Sequence, residues 1–336
     1  DQAKDNRAAI DHFLRLGKVI SDAAVRPNAE FDAATLLLAE QRWSESIDVL
    51  EQFRQQYPKN PLQETIPDKL VVAYESTQQW SKASFYLNQI YQRERESALG
   101  REALWRAAQL QQKAGNDRAA GKIYAEFVTS FPQPLEEAMD AREILVQIAD
   151  KAQQPQTAER WLDAMIEAVQ KAETVSERSL LLASKAALRL GRARTEAFEK
   201  VQLTLPLEKS LSKKQKLMEQ AAGYLNQTIN FGLAEPSTFA TTMLGDIYRN
   251  LSQALMQSAR PKELDELALE QYEILLEEQA LPFEDQAIEF YELNLKWISE
   301  GIYTPGIATS LERLRTVMPA RYDKPEQVPS YVEAIE

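Results

Sequence analysis

Apolar residues recur along most of this chain at three- and four-residue steps, the period of an amphipathic helix, and the pattern is interrupted at regular intervals. The clearest stretch runs from Arg101 to Pro132. Its first half carries Leu104, Ala107, Ala108 and Leu110 or Gln111 on one stripe; Gly115-Asn116-Asp117 then interrupts it with residues that tolerate a left-handed turn. A second stripe follows through Ala120, Ile123, Tyr124 and Phe127 and closes at Pro132, which cannot continue a helix. The pattern predicts a pair of antiparallel helices, and Ala120 is small enough to let them cross closely.

The same small position returns as Ser46, Ala83, Ala120, Ala158 and Ala197, at intervals of 37, 37, 38 and 39 residues. Four residues after each stands a larger apolar one, Leu50, Leu87, Tyr124, Leu162 and Val201, and three further on come Phe53, Ile90, Phe127, Met165 and Thr204. Trp43 and Trp80 precede the first two in the phrases QRWSES and QQWSKA, and Pro58 and Pro132 follow in QQYP and TSFP. Periodicity of this length marks stacked helix hairpins, each leaving an apolar face for its neighbour to cover. The fifth unit fits least well.

These positions resemble the tetratricopeptide repeat family over about residues 28 to 205. The glycine usual in the family's first helix is replaced by Ala34, Val71, Ala108 and Val146. The resemblance implies an all-α fold, a TPR-like helix-turn-helix solenoid wound as a right-handed superhelix, and a groove lined by the first helices that binds protein segments. The subgroup that clamps a terminal carboxylate needs Lys and Asn on successive first helices; the equivalent positions here hold Phe31 and Thr35, then Asp68 and Val72. That clamp is not expected.

Around this array, residues 1–26 read as an N-terminal helix or cap, with Arg7 to Ala24 helical and Pro27 ending it. Repeats fill 27–205, divergent helical repeats 206–318, and 319–336 reads as an extended tail. In the divergent part, helices are expected from Leu211 to Ile229 behind a Ser212/Gln215 capping box, from Ser237 to Gln257, from Pro261, from Pro282 to Gly301, and from Thr304-Pro305 to Pro319. Residues 283 to 326 also look like the closing segment of large repeat proteins of Gram-negative envelopes. That likeness implies a periplasmic or outer-membrane-associated location and association with an envelope complex, with the cytoplasm as the alternative.

Composition narrows the function by exclusion. The chain has no cysteine, so disulfides, thiolate metal sites and thiol nucleophiles are out, which fits an oxidising compartment. His12 is its one histidine and sits on the first helix, where a surface or packing role is expected; ten glycines leave no phosphate-cradling loop. A net charge of −12 argues against nucleic acid, and no apolar run is long enough to span a membrane. Carboxylate pairs such as Glu136-Glu137 point about 100° apart on a helix and do not converge for acid–base work. No enzymatic activity, cofactor or metal is expected. The chain begins at Asp1, which reads as a processed form or an excised fragment.

Charge is laid out unevenly. Between Lys262 and Glu300 twelve acidic residues face two lysines, whereas from Lys185 to Lys216 nine basic residues face three acidic ones. Either these segments dock partners of opposite charge, or they are solvated faces. Within the expected groove, the inward positions are Trp105, Gln109 and Gln112, then Glu143, Gln147 and Asp150, then Arg189. Trp105 reads either as a binding anchor among polar neighbours or as packing between repeats. The function that follows is a non-catalytic protein–protein interaction scaffold or adaptor, holding a protein or peptide partner. The alternative is a regulatory or substrate-recognition arm of a larger enzyme or export machine.

Overall fold

A computed structural model describes residues 2–19 and 25–324, and among them every regular element is helical. The chain divides into two compact units, 1–158 and 159–336.

Unit 1 holds α1 (Gln2–Val19), α2 (Val25–Ala39), α3 (Trp43–Gln56), a 3-10 turn at Pro61–Glu64, α4 (Ile66–Ser76), α5 (Trp80–Arg93), α6 (Ala98–Lys113), α7 (Asp117–Ser130) and α8 (Leu135–Lys151). Consecutive helices from α1 through α8 pack on one another, which is the expected hairpin array. Helix α9 (Pro155–Lys171) runs across the division between the units. The end expected for the first helix, Ala24, lies outside the described residues, and His12 is exposed on α1.

Each hairpin closes by the same backbone device. The last turn of α2, α4, α6 and α8 is followed by a left-handed residue: Gln41 (φ 58°), Gln78 (58°), Gly115 (72°) and Gln153 (55°). At each, the left-handed residue's N–H reaches back three residues and the next N–H reaches back five, as in Gly115 to Gln112 (2.9 Å) and Asn116 to Gln111 (2.9 Å). These bonds satisfy carbonyls that a helix end otherwise leaves orphaned. Five residues further on stands the small residue of the crossing. Ser46, Ala83 and Ala120 have no exposed surface, and Ser46 Oγ donates to the carbonyl of Ala34 at 2.9 Å, across its own hairpin.

Neighbouring hairpins are tied by polar contacts set into the apolar packing. Ser84 Oγ on α5 donates to the carbonyl of Ala107 on α6 at 2.8 Å. Glu51 on α3 accepts from the hydroxyls of both Tyr74 (2.7 Å) and Tyr86 (2.6 Å), whose rings stack at 5.7 Å. Burial, with the bond to Glu51 second, pushes both phenols above their ordinary range, so they remain donors.

Unit 2 holds α10 (Glu177–Glu199), α11 (Leu207–Asn230), α12 (Ala234–Met256), α13 (Glu266–Ser299), α14 (Pro305–Val317) and α15 (Pro319–Tyr322). Its elements correct six expectations. The fifth small position, Ala197, lies half-buried inside the continuous helix α10, and Val201 and Thr204 lie in the loop after it. Gly191 provides close packing there, since a Cβ would stand 2.7 Å from the Leu225 side chain of α11. Helix α11 begins at Leu207, ahead of Ser212, because Leu207 and Leu211 pack with Leu203 and Leu255 and Ser210 Oγ bonds the Thr204 backbone.

Helix α13 starts at Glu266, capped by Asp265, whose carboxylate accepts from the Ala268 N–H at 2.8 Å; Pro261 lies outside it. Pro282 sits inside α13 and opens nothing. Leu276 and Ala280 before it and Ala287 and Tyr291 after it are buried, so packing on both sides holds the helix through a missing bond to exposed Glu278. Helix α12 starts at Ala234, three residues before the expected Ser237, whereas Thr304 caps α14 as expected. A short helix, α15, occupies the first residues of the expected tail; 325–336 lie outside the described residues.

The core of unit 2 needs two further bare glycines. At Gly245 a Cβ would meet the Tyr291 ring at 2.4 Å, and at Gly306 it would meet the Thr238 backbone at 2.7 Å. Between α12, α13 and α14 the buried Asn294 amide donates to the Thr238 carbonyl, Thr242 Oγ1 and Ser310 Oγ at 2.9–3.0 Å.

A non-glycine residue in the left-handed region costs on the order of 1 kcal/mol. Gln78→Gly is therefore expected to raise stability by about 0.5–1 kcal/mol and Gly115→Ala to lower it by about 1 kcal/mol. No atom stands within 4 Å of a Cβ at Gly115, so backbone strain alone sets its sign. Urea unfolding followed by helical circular dichroism reads both.

Candidate functional site

The first helices of unit 1 carry a surface where apolar side chains stay partly in water. Val72 on α4 is 49% exposed and Leu99 on α6 is 48% exposed. Both border a hollow of about 250 Å³ whose walls include Val71, Leu87, Ile90 and Ala103. A second hollow of about 590 Å³ shares Leu99 and Glu102 with the first and is bounded by Trp105, Arg101 and Glu137. The two meet along α6.

Local sequence places these groups. Ser97 caps α6, its hydroxyl accepting from the Gly100 N–H at 3.0 Å, and a Cβ at Gly100 would collide with the Glu94 carbonyl. That tight start fixes where Leu99 and Glu102 project. Ala103, Leu104, Ala107 and Ala108 occupy the buried side of the same helix, leaving Leu99 and Glu102 exposed and Trp105 half-buried.

Charged side chains rim the hollows, and most are paired. Arg106 bonds Glu75 of α4, Arg101 stands 3.4 Å from Glu137 of α8, and Arg93 stands 3.7 Å from Asp68. These pairs are substantially exposed and contribute little stability. Their effect is to hold a polar frame around an apolar floor, the arrangement of a segment-binding surface with a few anchors.

Trp105 packs inside its own hairpin and keeps part of its surface at the larger hollow. Its ring meets Tyr124 at 5.4 Å and Phe127 at 5.0 Å, edge to face, so it packs on the second helix of its own hairpin. Its remaining surface bounds the larger hollow. Gln112 is turned to the hairpin interior, accepting from the Tyr124 hydroxyl at 2.9 Å; burial pushes that phenol's pKa up to about 12. Gln109 and Gln147 are exposed, and Glu143 and Asp150 are half-exposed on α8. Arg189 is exposed on α10 of unit 2.

Val72 entered the sequence argument only as a missing clamp residue, and Leu99, Glu102 and Arg106 did not enter it. Leu99 did leave a signal: it is an apolar residue one turn ahead of the buried stripe that starts at Ala103.

Unit 2 has a hollow of about 320 Å³ on α10, α12 and α14, bordered by Arg192, Glu196, Phe239, Met243 and Asp246. Asp246 is held by the Tyr291 hydroxyl and by Arg313 Nε, each at 2.8 Å. Among the described residues no group of His, Asp and Glu is placed to hold a metal ion, and no helix is long and apolar enough to cross a membrane.

Truncating a half-buried tryptophan that packs on two rings is expected to cost roughly 2 kcal/mol. Trp105→Ala should lower the urea midpoint accordingly, whereas Gln109→Ala, at an exposed site, should leave it within about 0.5 kcal/mol.

The tetratricopeptide repeat family model matches residues 28–60 and 102–134. Those segments cover the hairpins α2–α3 and α6–α7. No curated protein sequence matches the chain. Among solved structures it is similar to BtubC (BKLC) from P. vanneervenii, at 13% identity over 94% of this chain and 100% of that one, with a TM-score of 0.28. It is also similar to a chain of Naa15/Naa10 bound to HypK-THB, at 13% identity over 95% and 52%, with a TM-score of 0.34. A third likeness is to a chain of the APC/C hetero-tetramer Cut9-Hcn1, at 14% identity over 95% and 57%, with a TM-score of 0.24. The chain thus spans a little over half the length of the last two. On the family match and the helix hairpins that fill the matched segments, residues 28–60 and 102–134 each form a tetratricopeptide-type repeat, in a chain whose regular elements are helical throughout the described residues.

Proposed function

We propose that the chain is a non-catalytic interaction scaffold that holds a short apolar segment of a partner protein on the first-helix face of unit 1. The observation that carries this reading is the exposed pair Val72 and Leu99 over a shaped hollow, framed by Asp68, Glu102 and Arg106. Burying two half-exposed aliphatic side chains supplies about 25 cal/mol per Å² of apolar surface covered, and the charged frame adds selectivity for orientation.

We place this activity in a bacterial envelope complex. The cysteine-free composition and the likeness of residues 283 to 326 to envelope repeat proteins support that setting.

Pull-down from Gram-negative envelope extract with the full chain as bait tests the reading. Leu99→Asp and Val72→Asp are expected to lose the protein that the wild-type chain enriches. Phe85→Asp, at a 56% exposed site on α5 away from the hollows, is expected to keep it. Enrichment that survives both aspartates, or none by the wild type, contradicts the proposal.

A further inference from the structure

The first half of α13 carries an apolar row on its exposed side. Leu267 is 66% exposed, Ile274 51% and Leu281 55%, and they stand seven residues apart. Seven residues are two helical turns less about 20°, so the three side chains form one continuous line about 21 Å long. The buried residues Leu276 and Ala280 lie roughly opposite that line, turned to the core of unit 2. Leu275, 56% exposed, widens the row at its middle.

Acidic residues border the row on both sides. Glu270, Glu277 and Glu284 each follow a row residue by three positions and run parallel to it. Glu278 and Asp285 follow Ile274 and Leu281 by four and lie on the other side. All five are exposed, and none makes an ion pair among the described residues. A helix surface that is apolar along a seven-residue seam and charged on both flanks is what one strand of a coiled coil presents to another. Here every flanking charge has the same sign.

We propose that this face of α13 docks a basic amphipathic helix of a partner protein, with aliphatic residues at heptad spacing and Lys or Arg on both flanks. The apolar seam supplies the buried area, and the five carboxylates supply orientation and selectivity. Charge argues against the face pairing with itself. A second copy would set carboxylates against carboxylates along about 21 Å, a repulsive arrangement that disfavours that partner. The surface is separate from the hollows on the first helices of unit 1 and does not rest on the function proposed for them.

The test uses the full chain and a fluorescein-labelled synthetic 21-residue helical peptide with leucine at its heptad core positions and lysine on the flanks. A second peptide has glutamate for lysine, and a third has the lysine peptide's composition in scrambled order. Fluorescence anisotropy is expected to show saturable binding of the ordered lysine peptide alone. Ile274→Asp and Leu267→Asp, at exposed sites that preserve the helical circular dichroism, should each weaken it at least about tenfold. The triple variant Glu270→Lys, Glu277→Lys, Glu284→Lys should transfer preference to the glutamate peptide. Three results would each overturn the proposal: no saturable binding by the wild type, equal binding of the scrambled peptide, or a wild-type dimer in sedimentation that Ile274→Asp dissolves.

Discussion

Each hairpin of unit 1 depends on one steric condition: where its two helices cross, the second must present almost no side chain. Ser46, Ala83 and Ala120 meet it with no exposed surface, and only at such a distance can Ser46 Oγ reach the carbonyl of Ala34. A larger side chain there has nowhere to go, because the surrounding positions are filled by Leu50, Phe53, Leu87, Tyr124 and Phe127, all buried. The left-handed turn five residues earlier is the second half of the same condition. It returns the chain in a fixed direction, and it recurs at Gln41, Gln78, Gly115 and Gln153.

The surface follows from the hairpin. Because the core-facing sides of the first helices are consumed by packing, the residues left over on the first helices form a face of their own. Val72, Leu99 and the free side of Trp105 appear there, with charges between them. Stacking gives each hairpin stability through its neighbours. That leaves part of this face outside the packing.

The hairpins were legible because their signals are local and repeated. A small residue, a larger apolar one four positions later and a glycine- or proline-marked boundary all lie within one helix or turn. Legibility failed where a single residue has two uses. Ala197 reads as a fifth crossing residue, yet it lies inside the continuous helix α10, where the bare Cα of Gly191 accommodates Leu225. Pro282 reads as a helix start, yet buried residues on both sides keep α13 continuous. The left-handed glutamines could not be read at all, since glutamine carries no preference for that conformation. At the candidate site, Trp105 was visible as an aromatic at an inward position. Leu99 left only its apolar character one turn ahead of the buried stripe, because its exposure depends on where Ser97 starts the helix.

Placing a leucine at the crossing is the most direct test of this account. Urea unfolding of Ala120→Leu should show a loss of about 1–3 kcal/mol, the cost of overpacking a filled interior. Lys122→Leu, which adds the same side chain at an exposed position of the same helix, should stay within about 0.5 kcal/mol of the wild type. Equal midpoints for the two variants would contradict the claim that close crossing at Ala120 determines the hairpin.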